Sequence, residues 1–249
     1  MTRSPPPALQ LSGVFQHVQG HAALADIDLR VEAGEWLLVA GPNGAGKSLL
    51  MRLILGLDVP SAGTIRVLGE DIQRLDWRGV TRLRGRLGAV LQGGSLLKGQ
   101  SVIENLLLPI RDLPGGRARL AREARLVMAL LRLDGLENHQ PRSLSLGQRR
   151  RVELARALIH KPELLVWDGL TDGLDPASAR ETLQVLSEQR GSRQLTLIAT
   201  DNGADALGAT CDRVAVLERG RTVFNGGPSD LAQALPERLD LRYLLQGRP

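Results

Sequence analysis

Eight consecutive residues, Gly41-Pro42-Asn43-Gly44-Ala45-Gly46-Lys47-Ser48, constrain the fold of this chain more than any other feature. They fit the pattern GxxxxGK[ST]: glycines let successive backbone N–H groups wrap a row of phosphates, the lysine reaches the β/γ oxygens and the hydroxyl is offered to Mg²⁺. Such a loop works between a buried strand and a helix. Trp36-Leu37-Leu38-Val39-Ala40 before it is a continuous apolar run, and Leu49 to Leu57 after it reads as a helix closed by Gly56 and the Asp58-Val59-Pro60 break. A glycine-rich surface turn is the plain alternative, but it leaves the flanking strand and helix unexplained.

An α/β fold follows. Aromatic residues are only 2% of the chain, so Leu, Val, Ile and Ala must fill the core, which suits helices packed on a parallel sheet. Leu164-Leu165-Val166-Trp167 and Leu195-Thr196-Leu197-Ile198-Ala199 are further strand candidates, and Val214 to Leu217 with Thr222 to Phe224 read as a hairpin around Arg219-Gly220. Leu9 to Val31 shows short apolar pieces broken by Gly13 and Gly20. Residues from about 93 to 150 are glycine-punctuated at first, then rich in Arg, Leu and Ala at helical spacing from Arg117 to Leu133, as expected of an inserted helical subdomain. With 249 residues, 43% of them hydrophobic, we expect a flexible tail over 1–8 and one domain over 9–249.

The single cysteine, Cys211, excludes an internal disulfide framework and a Cys-rich zinc site. The residues Met1 to Pro7 carry no apolar signal region, and no stretch approaches the roughly 18–20 apolar residues that span a bilayer. A cytoplasmic protein held at the membrane by a partner is expected. Net charge is +5, with arginines grouped at 82/84/86, 117/119/122/125 and 149/150/151. Few rings are present to stack on bases, and Arg122, Glu123 and Arg125 read as the solvated face of a helix, so no nucleic-acid partner is expected.

A phosphate loop alone leaves kinases, GTPases, helicases and transporters open, and a second motif narrows the choice. Leu144-Ser145-Leu146-Gly147-Gln148, followed by a basic-headed helix from Arg149 to Leu158, resembles the signature LSGGQ of the ABC ATPases. The resemblance covers nearly the whole chain, with Gln92 at the Q-loop, Leu164 to Asp168 at Walker B and Leu174-Asp175-Pro176 at the D-loop. It implies a P-loop, RecA-like nucleotide-binding core with an antiparallel β subdomain and an inserted α-helical subdomain. It also implies ATP and Mg²⁺ as ligands, with Ser48, Gln92 and Asp168 around the metal. In that family two subunits sandwich two ATP molecules beneath a transmembrane permease. Ser145, Gly147 and Gln148 would then contact ATP held by a second ATP-binding subunit, in a homo- or heterodimer. The bland reading of Ser145 is a helix cap.

Departures from the family's pattern fall on its catalytic positions. Gly169 stands where the family has its catalytic glutamate, and loss of a general base costs about 10²–10⁴ in rate, or roughly 3–5 kcal/mol of barrier. Asp172 lies three residues on, and nothing in the spacing makes it a substitute. Asp201 replaces the switch histidine in Thr200-Asp201-Asn202; facing a phosphate at about 4 Å and an effective dielectric near 20, it would meet roughly 4 kcal/mol of repulsion, so either Asp201 points away or the closed dimer is weakened. With no catalytic residue intact, weak or absent hydrolysis by the chain itself is expected. Leu146 replaces a signature glycine, and Val18 stands where an adenine-stacking ring belongs, with His17 and Phe15 beside it. The open alternatives are a non-hydrolysing half of a heterodimer, a soluble ABC protein without a permease, and an ATPase with a different base. Gln92 to Asn105, Leu108-Pro109 and Asp240 to Pro249 are similar to the Mla/Mce-type lipid-trafficking ATPases, which implies lipid as a cargo.

Overall fold

A computed structural model describes residues 6–112, 114, 116–172, 174–202, 210–238 and 240–241. Two long strands come first, β1 (Leu9–Val18) and β2 (His21–Val31), joined through Gln19 and Gly20, both at positive φ. The other edge of β1 pairs antiparallel with β4 (Ala62–Val67), which in turn pairs with β5 (Glu70–Asp71), so one sheet has the order β2-β1-β4-β5. The glycine breaks at 13 and 20 thus punctuate a single hairpin. Of the expected tail, residues 1–5 lie outside the described residues. Ala8 is buried, and its carbonyl accepts a hydrogen bond from Leu68 N at 2.9 Å.

The second sheet holds β3 (Trp36–Ala40), β6 (Leu87–Val90), β7 (Leu164–Trp167), β8 (Thr196–Asp201), β9 (Arg213–Glu218) and β10 (Arg221–Gly226) in the order β10-β9-β3-β8-β7-β6. All neighbours are parallel except β9 and β10, which form the antiparallel hairpin read from the sequence. Parallel strands covered on both faces need apolar side chains at every position, and β3 shows this directly. Leu37 and Val39 pack on one side with Leu50 and Ile54 of α1 (Lys47–Ile54) and with the antiparallel sheet, whereas Trp36, Leu38 and Ala40 face the opposite layer.

That opposite layer contains α3 (Val102–Leu107), α4 (Gly116–Leu130) and α5 (Leu146–Leu158), which lie along the chain between β6 and β7 and contribute Val102, Met128 and Val152 to the core. Among the described residues the remaining α-helices are α2 (Trp77–Arg84), α6 (Pro176–Arg193) and α7 (Pro228–Ala234).

Candidate functional site

Four sequence-distant segments meet because they follow four adjacent parallel strands. The phosphate loop leaves β3, Gln92 follows β6, Asp168 follows β7, and Asp201 with Asn202 ends β8. Ligands of open α/β sheets bind at such carboxyl ends, where the strand order reverses. Here they enclose a cleft of about 310 Å³ lined by Gly44, Lys47, Ser48, Gln92, Asp168 and Asp172 among others.

Gly46 caps α1 at φ 104°, and a Cβ there would come within 2.6 Å of Leu24 Cδ2. Gly41, at φ 146°, lies so close to β9 that a Cβ would meet Leu217 O at 2.2 Å. Both positions require glycine for conformation and for space. The backbone turns tightly enough for the Lys47 ammonium to fold back onto its own loop, donating to Gly41 O at 2.6 Å, Pro42 O at 3.0 Å and Asn202 Oδ1 at 3.1 Å. Burial pulls the Lys47 pKa below its usual value, while the carboxylates of Asp168, Asp201 and Asp172 act to raise it.

Ser48 Oγ donates to Gln92 Oε1 at 3.4 Å. Asp168 is buried, and its Oδ1 accepts from Thr200 Oγ1 at 2.6 Å; the same hydroxyl accepts from Gly169 N at 2.8 Å. Thr200 therefore fixes both the carboxylate and the backbone of the residue after it. The sequence reading assigned Thr200 no such part, although its place two residues before Asn202 in an apolar run marks it as inward-facing. The donors of Ser48, Gln92 and Asp168 are all oxygens, which suits a hard cation such as Mg²⁺. Among the described residues no group of three His, Cys, Asp or Glu side chains could hold a metal, so a cation here would need phosphate oxygens as well.

Asp201 is engaged by the neighbouring loop. Its Oδ2 accepts from Thr171 N at 3.0 Å and Thr171 Oγ1 at 2.6 Å, and its Oδ1 accepts from Asn202 N at 2.7 Å. These contacts tie β8 to the loop after β7. Asn202, not Asp201, meets the Lys47 ammonium. Val18 lines the cleft rim, 46% exposed, while His17 N donates to Ser61 Oγ at 3.0 Å.

Ser145, Gly147 and Gln148 do not line this cleft; they head α5. Ser145 Oγ accepts from Gln148 N at 3.1 Å and Gln148 Oε1 accepts from Ser145 N at 2.9 Å, a reciprocal cap that leaves the hydroxyl hydrogen available for donation. Leu146 is 50% exposed beside a neighbouring groove that it shares with Gln92, Arg149 and Asp172. One turn on, buried Arg150 donates to Leu91 O at 3.0 Å and to Asp172 O at 3.2 Å, and pairs with Glu153 at 3.2 Å. The basic cluster at 149–151 thus contains one side chain that knits α5 to the loops after β6 and β7.

Residues 24–172 match the family described as "ABC transporter". The chain is 38% identical over 215 residues to the methionine import ATP-binding protein MetN 2 of Paraburkholderia xenovorans (strain LB400), covering 86% of this chain and 56% of that protein. With the MetN protein of Caulobacter vibrioides it shares 39% identity over 215 residues, 85% of this chain and 64% of that one. The chain therefore spans somewhat more than half the length of these relatives. Among solved structures, cbiO1 from Clostridium perfringens, part of the ABC transporter complex cbiONQ, superposes with a TM-score of 0.81 at 25% identity, covering 96% of this chain and 100% of that one. The ATP-binding cassette MJ0796, as a post-hydrolysis dimer with ADP and Pi, gives a TM-score of 0.82 at 26% identity and covers 88% and 98%.

Proposed function

The chain belongs to the ABC transporter family, and from that premise we propose that it is the ATP-binding subunit of a membrane transporter. The observation that carries this reading is the convergence of Lys47, Ser48, Gln92 and Asp168 at the ends of four adjacent strands. Residues 41–48 wrap the phosphates through backbone N–H groups, and Lys47 exchanges its contacts with loop carbonyls for the β/γ oxygens. Ser48, Gln92 and Asp168 hold Mg²⁺, which when bound neutralises charge on the phosphates. Val18 offers no ring to the base, so affinity rests on the phosphate end.

Ser145, Gly147 and Gln148 complete the ATP site of a second ATP-binding subunit, and closure of the pair is passed to a transmembrane permease. Their place at the head of α5, with Ser145 exposed and Gly147 and Gln148 half-buried, supports this, as does the dimeric state of the similar cassette MJ0796. Among the described residues no helix is long and apolar enough to cross a membrane; on this reading the chain works at the cytoplasmic face, held by its permease. The names of the relatives suggest import of methionine. Lipid as cargo rests on the 92–105 segment and the 240–249 tail, of which 242–249 lie outside the described residues, and we rank it second. Gly169 favours one further reading, in which this subunit is the non-hydrolysing half of a heterodimer.

Calorimetric titration of the full chain with Mg-ATP tests the core of the proposal. Saturable binding at micromolar to millimolar ATP is expected, weakened at least tenfold in Lys47→Ala. No heat at millimolar ATP, with wild type and Lys47→Ala alike, sinks it.

A further inference from the structure

Gly169 leaves a space, and that space is filled. At φ 73° its backbone directs a hypothetical Cβ to within 2.3 Å of Asp172 Oδ2 and 2.7 Å of Asp172 Cγ, so the Asp172 carboxylate stands where a side chain on residue 169 would begin. The loop doubles back to achieve this, with Asp172 N donating to Gly169 O at 3.2 Å. Asp172 Oδ2 accepts from Gln92 Nε2 at 2.7 Å, and the other end of that amide meets Ser48. The carboxylate thus lies in the cleft with Lys47 and Asp168, hydrogen-bonded to Gln92 and linked through its amide to Ser48, two of the three groups expected around the metal.

Its backbone is held from both sides. Arg150 Nε donates to Asp172 O, and Asp201 grips Thr171 through two hydrogen bonds. The two departures at 169 and 201 and the aspartate at 172 therefore form one unit. A glycine makes the room, Asp201 anchors the loop, and the loop brings in a carboxylate.

We propose that Asp172 is the carboxylate that orients the attacking water and takes its proton, in place of the glutamate the family carries at position 169. The inference rests on the ATP-binding reading above. In the step it serves, the water oxygen forms a bond to the γ-phosphorus, and the bond from that phosphorus to the bridging oxygen breaks with its electron pair left on ADP. The water's proton moves to an Asp172 oxygen and leaves later with phosphate or solvent. No co-reactant beyond ATP and water is required.

The test uses the purified full chain with Mg-ATP, comparing wild type, Asp172→Asn and Asp172→Ser. Asparagine keeps the size and the hydrogen-bond acceptor toward Gln92 but cannot take a proton; serine serves should asparagine fail to fold, as judged by thermal unfolding. Expected is a turnover that Lys47→Ala abolishes and that either Asp172 variant lowers by about 10²- to 10⁴-fold, with the ATP dissociation constant changed less than about threefold. A second readout is retention: the variants should carry more ATP through gel filtration than wild type, since what is bound is no longer consumed. A merely structural role for Asp172 would weaken binding and turnover together. Turnover in Asp172→Asn or Asp172→Ser within about threefold of wild type overturns the proposal, as does ATP binding by wild type without any turnover. Absence of ATP binding altogether is instead a failure of the function reading beneath it.

Discussion

At the scale of single residues, the phosphate loop was legible because its chemistry is local, eight residues whose backbone does the binding. Asp172 was not, since its partnership with Gly169 depends on a loop reversal that spacing alone does not reveal. The left-handed backbone at 169 also sets what repair can achieve. Restoring the family's residue by Gly169→Glu places a side chain on a φ of 73° and against Asp172 Oδ2. The backbone strain alone costs about 1–3 kcal/mol. We expect Gly169→Glu to lower the thermal unfolding midpoint and not to raise ATP turnover, and Gly169→Glu with Asp172→Ser to recover part of both. Equal melting of Gly169→Glu and wild type would contradict the crowding at this position. His17, weighed beside Val18 as a stacking group, donates through its backbone N–H to Ser61 Oγ.

At the scale of elements, β3 and β7 coincide with the apolar runs that announced them, and the closing hairpin of β9 and β10 formed where its glycine turn stood. Continuous burial on both faces makes such strands easy to read. Residues 61–91 gave no reading of strand or helix, and the reason is visible. In α2 only Gly79 and Leu83 are buried, so no apolar stripe marks the helix, and β5 has only two residues. The buried Arg150–Glu153 pair was likewise hidden inside a run of arginines. Its side chains are 7% and 3% exposed, and Glu153 also accepts from Ser95 N at 2.8 Å. Removing one partner leaves a buried charge unpaired, so Glu153→Ala should reduce unfolding free energy by about 3–5 kcal/mol. Urea denaturation measures this, and a loss below about 1 kcal/mol would mean that the pair is solvated in the folded protein.

At the scale of the whole molecule, acid stability has an identifiable first component. His160 sits behind β6, its Nε2 at 2.8 Å from Leu87 O, and burial pulls its pKa below 6.5 despite that hydrogen bond. The unfolded chain therefore binds this proton more readily than the folded one. Stability from keeping His160 neutral is present above about pH 6.5 and is lost as pH falls from there through the folded pKa. Asp58 and Glu163, lowered by their hydrogen bonds to Arg52 and Arg86, contribute only at more acid pH, below their ordinary values of 3.8 and 4.5. Replacing His160 by Gln should flatten the pH dependence of unfolding free energy just below about pH 6.5 and leave the more acid fall in place. An unchanged slope would show that His160 titrates alike in the folded and unfolded states. Sheet topology bears on a different matter, the order in which the protein takes shape while it is being made. The phosphate loop leaves β3, and the strands bonded to β3 on either side are β8 and β9, about 160 residues further along. Gly41 packs directly on Leu217. During synthesis the loop is therefore among the first functional segments to emerge from the ribosome and among the last to find its neighbours. Both edges of β3 stay open until almost the whole domain has been translated, an interval in which a nascent chain is exposed to mispairing and depends on being shielded.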